Sequence, residues 1–195
     1  MSVSGVLLFP GAGSSSSNPA LVAIEGALAP TPVVRADFPY RKAGRKAPDR
    51  ADVLVRCVRE EAGALAERVG GGTGALVLGG RSMGGRMCSM AAAGDDGRGG
   101  QADPLPVAGL ALISYPLHPP GRPEQLRTAH LPRLAVPCLF VSGTRDPFGS
   151  PDELETATAV IPGPVTHVWI DGGRHELKGA DSRVAEAVRS WLAGL

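Results

Sequence analysis

The sequence lacks the features that would place it in several large classes of protein. It has only three cysteines, Cys57, Cys88 and Cys138. They are odd in number, without C-x-x-C spacing, and each sits inside an apolar or helical pattern, which reads as buried free thiols rather than a disulfide framework. None of the four histidines stands at a ligand-like spacing from any of them, so no metal is expected. No apolar stretch approaches the length of a membrane span, and the short apolar run at residues 6–9 has no basic segment before it. The expectation is a cytoplasmic protein with no membrane partner. An excess of charge of one sign is also missing, since the formal net charge is +1. That removes the usual electrostatic footprint of a nucleic-acid binder, and the one local basic run has no interleaved aromatics on which bases could stack. Small-molecule or protein partners remain.

What is present fits one globular domain over residues 1–195, with 43% hydrophobic and 20% charged residues. The 27 glycines and 18 prolines punctuate apolar runs instead of forming a tract, which argues for many tight connections. Six short β-rich runs stand at about 5–10, 32–38, 74–79, 107–114, 137–142 and 165–170. Most are unbroken apolar runs, as in parallel strands covered on both faces. Between them, helical spacing marks 19–28, 50–69, 82–93, 151–160 and 181–192, several opened by aspartate, serine or proline. The alternation predicts an α/β fold: a doubly wound, mostly parallel sheet of about six strands joined by right-handed crossovers.

The segment Gly79-Gly80-Arg81-Ser82-Met83-Gly84-Gly85 contains G-x-S-x-G where a strand should end and a helix begin. That context makes the motif a candidate nucleophile elbow, a strained turn that presents its serine to solvent. Gly80 and Gly84 are expected where strand and helix pack too closely for a side chain. At the helix N-terminus the backbone N–H of Met83 can face an oxyanion. A glycine-rich turn with a serine cap is the plain alternative.

Two further residues favour catalysis. Asp146 lies just beyond the fifth expected strand and His175 just beyond the sixth. Serine, acid and histidine therefore occur in hydrolase order, each at a carboxyl end of a strand, where open α/β sheets bind ligands. His175 would take the proton of Ser82 while Asp146 holds the imidazole tautomer. Taken singly, Asp146 before Pro147 is a good turn residue and His175 could merely be exposed.

With these motifs in place the sequence resembles the α/β-hydrolase superfamily. Stretches at 10–13, 37–41, 79–87 and 114–121 resemble one branch of it, small predicted hydrolases related to dienelactone hydrolase, shared with a testis-expressed protein and a nonspecific-lethal complex subunit. The resemblance implies a minimal fold without a cap domain and with an open, shallow site. It implies hydrolysis of a small ester, thioester or lactone through an acyl-enzyme on Ser82, with no cofactor. It also implies a second oxyanion donor, the backbone N–H of Ala12, although Pro10-Gly11 stands where many members have His-Gly. Dienelactone hydrolase itself carries a cysteine nucleophile, so its substrate does not transfer. The chromatin subunit keeps a rival open, a non-catalytic interaction or scaffold protein.

Other residues carry weaker signals. His118, in a Pro-rich loop after the fourth strand, could line the pocket or be structural. His130 and His167 read as structural. The basic run from Arg41 to Arg50 is either a solvated loop or an electropositive rim for anionic substrates. Arg81, beside Ser82, could point back to an acid such as Asp37, and its role stays open.

Overall fold

The computed structural model describes residues 3–195. Six strands form one sheet: β1 (Gly5–Phe9), β2 (Val33–Arg35), β3 (Leu76–Arg81), β4 (Gly109–Ile113), β5 (Cys138–Gly143) and β6 (Val165–Ile170). Every pairing is parallel and the order across the sheet is β2-β1-β3-β4-β5-β6. The helices are α1 (Pro19–Leu28), α2 (Pro39–Lys42), α3 (Ala51–Val69), α4 (Met83–Ala92), α5 (Pro151–Thr158) and α6 (Asp181–Leu192). The chain leaves β1 towards one side to make β2, then returns past β1 to make β3. The order therefore reverses between β1 and β3, the topological switch point at which such sheets bind ligands.

Unbroken apolar strands are needed because both faces of the sheet are covered. Leu7 and Phe9, Leu76 and Leu78, Leu110 and Leu112, and Cys138 and Phe140 point into one core, against α3 and α4. Val6 and Leu8, Val77, Ala111 and Ile113, and Leu139 and Val141 point into the other, against α1 and α6. Alternation of side chains across a strand thus distributes one apolar run between two cores. Cys57, Cys88 and Cys138 are free and buried. No helix among the described residues is long and apolar enough to cross a membrane.

The differences from the expected elements have local causes. The third strand starts later than 74 because residues Thr73–Ala75 form a 3-10 turn. It runs on to Arg81 because Gly80 and Arg81 keep their register with Leu112 and Ile113 of β4. The second strand is only Val33–Arg35, at the sheet edge; beyond it the carboxylate of Asp37 accepts hydrogen bonds from Ser16 N–H and Oγ–H, both at 2.8 Å, and draws the chain away. The basic run contains a helical turn, α2, started by Pro39 at its first position. Helix α5 stops at Thr158, whose hydroxyl donates to Leu154 O at 2.8 Å.

Between β4 and β5 the covering element is an irregular segment instead of a helix. It buries Tyr115, Leu117, Leu131 and Leu134 in the α3/α4 core. Its hairpin-like middle is fixed by Arg127 N–H donating to Leu117 O and by Tyr115 Oη donating to Arg127 O, both at 2.8 Å.

Leu78 is fully buried in β3, the strand on which the candidate nucleophile is mounted. Leu78→Ala is expected to cost ~2–5 kcal/mol through lost transfer energy and residual cavity. The urea midpoint should fall with an unchanged slope, which equilibrium unfolding checks.

Candidate active site

Backbone approach fixes the position of Ser82. A Cβ on Gly80 would lie 2.1 Å from Phe9 O, and one on Gly84 would lie 2.3 Å from the same oxygen. Any residue but glycine would push β3 or α4 away from β1, as the motif leads one to expect. Between them Ser82 has φ 51° and ψ −117°, a conformation that L residues rarely adopt. Its N–H donates to Ile113 O at 2.8 Å, and its carbonyl accepts from Arg86 N–H at 3.1 Å, so the sheet and the helix hold it from both sides.

The other two residues arrive from the ends of β5 and β6, again by close backbone contact. A Cβ on Gly143 would lie 2.2 Å from Gly173 O. With both positions glycine, Thr144 N–H donates to Ile170 O at 3.1 Å and Arg145 N–H donates to Gly173 O at 2.9 Å. The loops carrying Asp146 and His175 are thereby joined. Ser82 Oγ lies 2.8 Å from His175 Nε2. His175 Nδ1 lies 2.8 Å from Asp146 Oδ2 and 3.0 Å from Oδ1. With the proton on Nδ1, the carboxylate accepts and Nε2 keeps the lone pair that can take a proton from the serine. Asp146 and His175 are buried, His175 included despite its glycine-rich loop.

Three contacts absent from the sequence reading hold this arrangement. The Phe148 ring stacks on the His175 imidazole, with centroids 3.9 Å apart. The Phe148 N–H also donates to Asp146 Oδ1 at 2.9 Å. Arg81 Nη2 donates to His175 O at 2.7 Å. Arg81 therefore does not pair with Asp37, which is occupied by Ser16. Burial lowers the Arg81 pKa, and the charges of Glu176, Asp146 and Asp181 oppose that shift.

A cleft of about 540 Å³ opens onto Ser82. Its walls include Ala12 and Met83 with Gly11, Gly13, Ser14, His175 and Glu176, and, from the β4–β5 segment, Pro116 and Arg127. That segment gives the cleft one wall, and among the described residues no cap domain stands over it. Tyr40 Oη donates to Ala12 O at 2.8 Å and anchors the loop after β1. The residues from Arg41 to Arg50 do not line the cleft. Lys42 pairs with Glu61 and Arg45 with Asp49, which favours the solvated reading over the rim.

The remaining histidines stand apart. His118 is buried outside the cleft, with Nδ1 2.9 Å from Pro119 O and Nε2 3.5 Å from Glu153. His167 Nε2 lies 3.0 Å from Thr158 Oγ1. His130 is buried, with Nε2 2.7 Å from Ser89 Oγ. Phe148 and Arg86 carry local signals in the sequence, two residues after the acid and one helical turn after the serine. Arg127 has none, being brought to the site by the path of the β4–β5 segment.

Residues 3–191 match the family model described as "Alpha/beta hydrolase domain". Among solved structures, the chain is similar to an alpha-beta serine hydrolase homologue from Coxiella burnetii, with a TM-score of 0.71 and 20% identity over 100% of this chain and 85% of that one. It is also similar to dienelactone hydrolase from Anabaena variabilis, with a TM-score of 0.74 and 20% identity over 99% and 87% of the two chains. Est1E from Butyrivibrio proteoclasticus gives a TM-score of 0.74 at 15% identity, covering 99% and 88%. At these identities the solved structures speak for the fold.

Burial first, then the charges of Arg86 and Arg133, push the His130 pKa down to about 3. The folded protein keeps this imidazole neutral, whereas in the unfolded chain it takes a proton below pH ~6.5. The unfolded state then binds more protons, so this contribution to stability is intact above pH ~6.5 and is lost as the pH falls towards 3, at up to ~1.4 kcal/mol per pH unit. His130→Gln should make stability less dependent on pH between ~6 and ~4, as urea midpoints of both proteins will reveal.

Proposed function

The chain belongs to the alpha/beta hydrolase domain family, and on that premise we propose that it is a serine hydrolase cleaving a small ester, thioester or lactone. The observation that carries the reading is the continuous chain from Ser82 Oγ through His175 to Asp146, with both links at 2.8 Å. Ser82 is the nucleophile. Its oxygen attacks the substrate carbonyl as His175 Nε2 takes its proton, and the imidazolium that forms is stabilised by Asp146. The same proton passes to the leaving group, leaving an acyl-enzyme. Water, deprotonated by His175, then releases the acid and restores the serine.

The tetrahedral oxyanion needs donors already aimed at it. Met83 N–H, at the first position of α4, and Ala12 N–H, in the loop anchored by Tyr40, take this role in the proposal. Both residues line the cleft beside Ser82, which supports the assignment. The stacked Phe148 and the Arg81 clamp on the His175 carbonyl keep the imidazole in line with the serine.

Within the family, the motif stretches and the absence of an inserted cap favour the small branch related to dienelactone hydrolase. The serine nucleophile sets this chain apart from that enzyme. We read the 195 residues as one catalytic domain acting in the cytoplasm, where the free thiols of Cys57, Cys88 and Cys138 would stay reduced.

A fluorophosphonate probe should label Ser82, and Ser82→Ala should abolish both labelling and turnover of small activated esters while leaving the fold intact. Asp146→Asn should lower kcat by on the order of 10⁴. A folded Ser82→Ala protein that turns over at the original rate would return the chain to the scaffold class.

The second donor can be tested separately, because proline has no N–H. Ala12→Pro should lower kcat by roughly 10²–10³, and Ala12→Gly, which keeps the donor, should cost less. Melting curves must first match, since proline also restricts Gly11. Equal rates in the two folded variants would move the role to the N–H of Gly11 or Gly13.

A further inference from the structure

Most arginines that the fold orders near an acid form ion pairs: Arg35 with Glu25, Arg45 with Asp49, Arg98 with Asp52, and Arg189 with Glu186. Three arginines that line the cleft do not, and one of them, Arg81, is already committed to the His175 carbonyl. The other two are Arg86, one turn along α4 from Ser82, and Arg127, from the β4–β5 segment, and among the described residues neither forms an ion pair. Arg86 Nε is fully shielded and has no hydrogen-bond partner. Leaving a buried charged donor unpaired is costly unless a ligand completes it.

The two guanidinium groups also repel each other. The Arg127 pKa is lowered by burial and, next, by the charge of Arg86. Glu176, the acid exposed on the cleft wall, acts on Arg81 instead. Arg127 is nevertheless held firmly: its backbone is bonded on both sides, to Leu117 O and from Tyr115 Oη. Its Nη1 lies 3.4 Å from Pro116 O, a weak contact that leaves most of its donors free. A pair of like charges beside a nucleophile, with unused donors, suits an anion that supplies the missing charge.

We propose that Arg86 and Arg127 form a carboxylate subsite and that the substrates hydrolysed at Ser82 are esters bearing a carboxylate. This inference rests on the serine-hydrolase reading for its chemistry, but the anion site itself does not. The arginine forks bind a planar carboxylate through paired N–H donors and fix the distance between that group and the scissile carbonyl.

The test compares matched esters on wild-type, Arg86→Gln, Arg127→Gln and Arg86→Lys proteins. The first pair is 4-nitrophenyl hemisuccinate against 4-nitrophenyl butyrate, which places the carboxylate on the acyl side. The second is 4-acetoxybenzoate against phenyl acetate, which places it on the leaving group. At least one anionic ester should be preferred by about tenfold or more in kcat/KM, the scale of one charge-assisted contact. Either glutamine variant should reduce that ratio by about tenfold, Arg86→Lys should reduce it less, and added salt should weaken the preference. The arm that responds identifies the side on which the carboxylate lies. Ratios near one that neither variant changes would overturn the proposal.

Succinate binding, followed by calorimetry, separates this idea from the catalytic assignment. If no ester is hydrolysed but wild type binds succinate and the Arg86→Gln/Arg127→Gln protein does not, the subsite stands and the hydrolase reading fails. If esters are hydrolysed without charge preference and succinate does not bind, the hydrolase reading stands and the subsite fails.

Discussion

How near one backbone can come to another at the carboxyl ends of the strands controls the whole site. Phe9 O occupies the space where Gly80 or Gly84 would carry a Cβ, and Gly173 O does the same at Gly143. The first contact seats α4 on β1 and β3 and so aims Ser82. The second joins the β5 and β6 loops and so brings Asp146 to His175. A methyl group at any of these positions would displace backbone, and a site that works through 2.8 Å links has no tolerance for such a shift.

These approaches last because the sheet beneath them is held from both sides. Each central strand sends alternate residues into two separate cores, so β1, β3, β4 and β5 cannot slide in register without exposing both. That rigidity sustains the left-handed backbone of Ser82 and of Ser114, with φ of 51° and 48°. Conformations of this kind cost of order 1–3 kcal/mol each and persist only where the surroundings over-determine them. Both lie at the carboxyl ends of central strands, Ser82 beside the switch point and Ser114 one strand further on.

Charge is arranged by the same architecture. Arg81 is spent on structure, clamping the His175 carbonyl, while Arg86 and Arg127 stand in the cleft wall with no acidic partner among the described residues. The irregular β4–β5 segment is central to this difference. It covers the α3/α4 core in place of a helix, walls the cleft in place of a cap, and carries Arg127 with its backbone tied on both sides.

The parts legible in the sequence were those that local chemistry encodes. Apolar runs with no alternation foretold strands covered on both faces, and 3.6-residue spacing with Pro19, Pro151 and Asp181 at entries foretold helices, two of which, Pro19–Leu28 and Asp181–Leu192, have the expected bounds. G-x-S-x-G announced the elbow because the motif is contiguous in the chain, although the oxygen its glycines make room for, Phe9 O, comes from β1. The tertiary structure alone decided what meets across the sheet. Ser82 and His175 are 93 positions apart, and their contact depends on strand order, which follows from crossovers and not from either residue's neighbours. Arg81 reaches the His175 carbonyl rather than Asp37 for the same reason. Arg127 reaches the cleft along a segment without periodicity, so no pattern in the sequence could announce it: periodicity reports the face a residue shows, and only packing fixes what lies opposite.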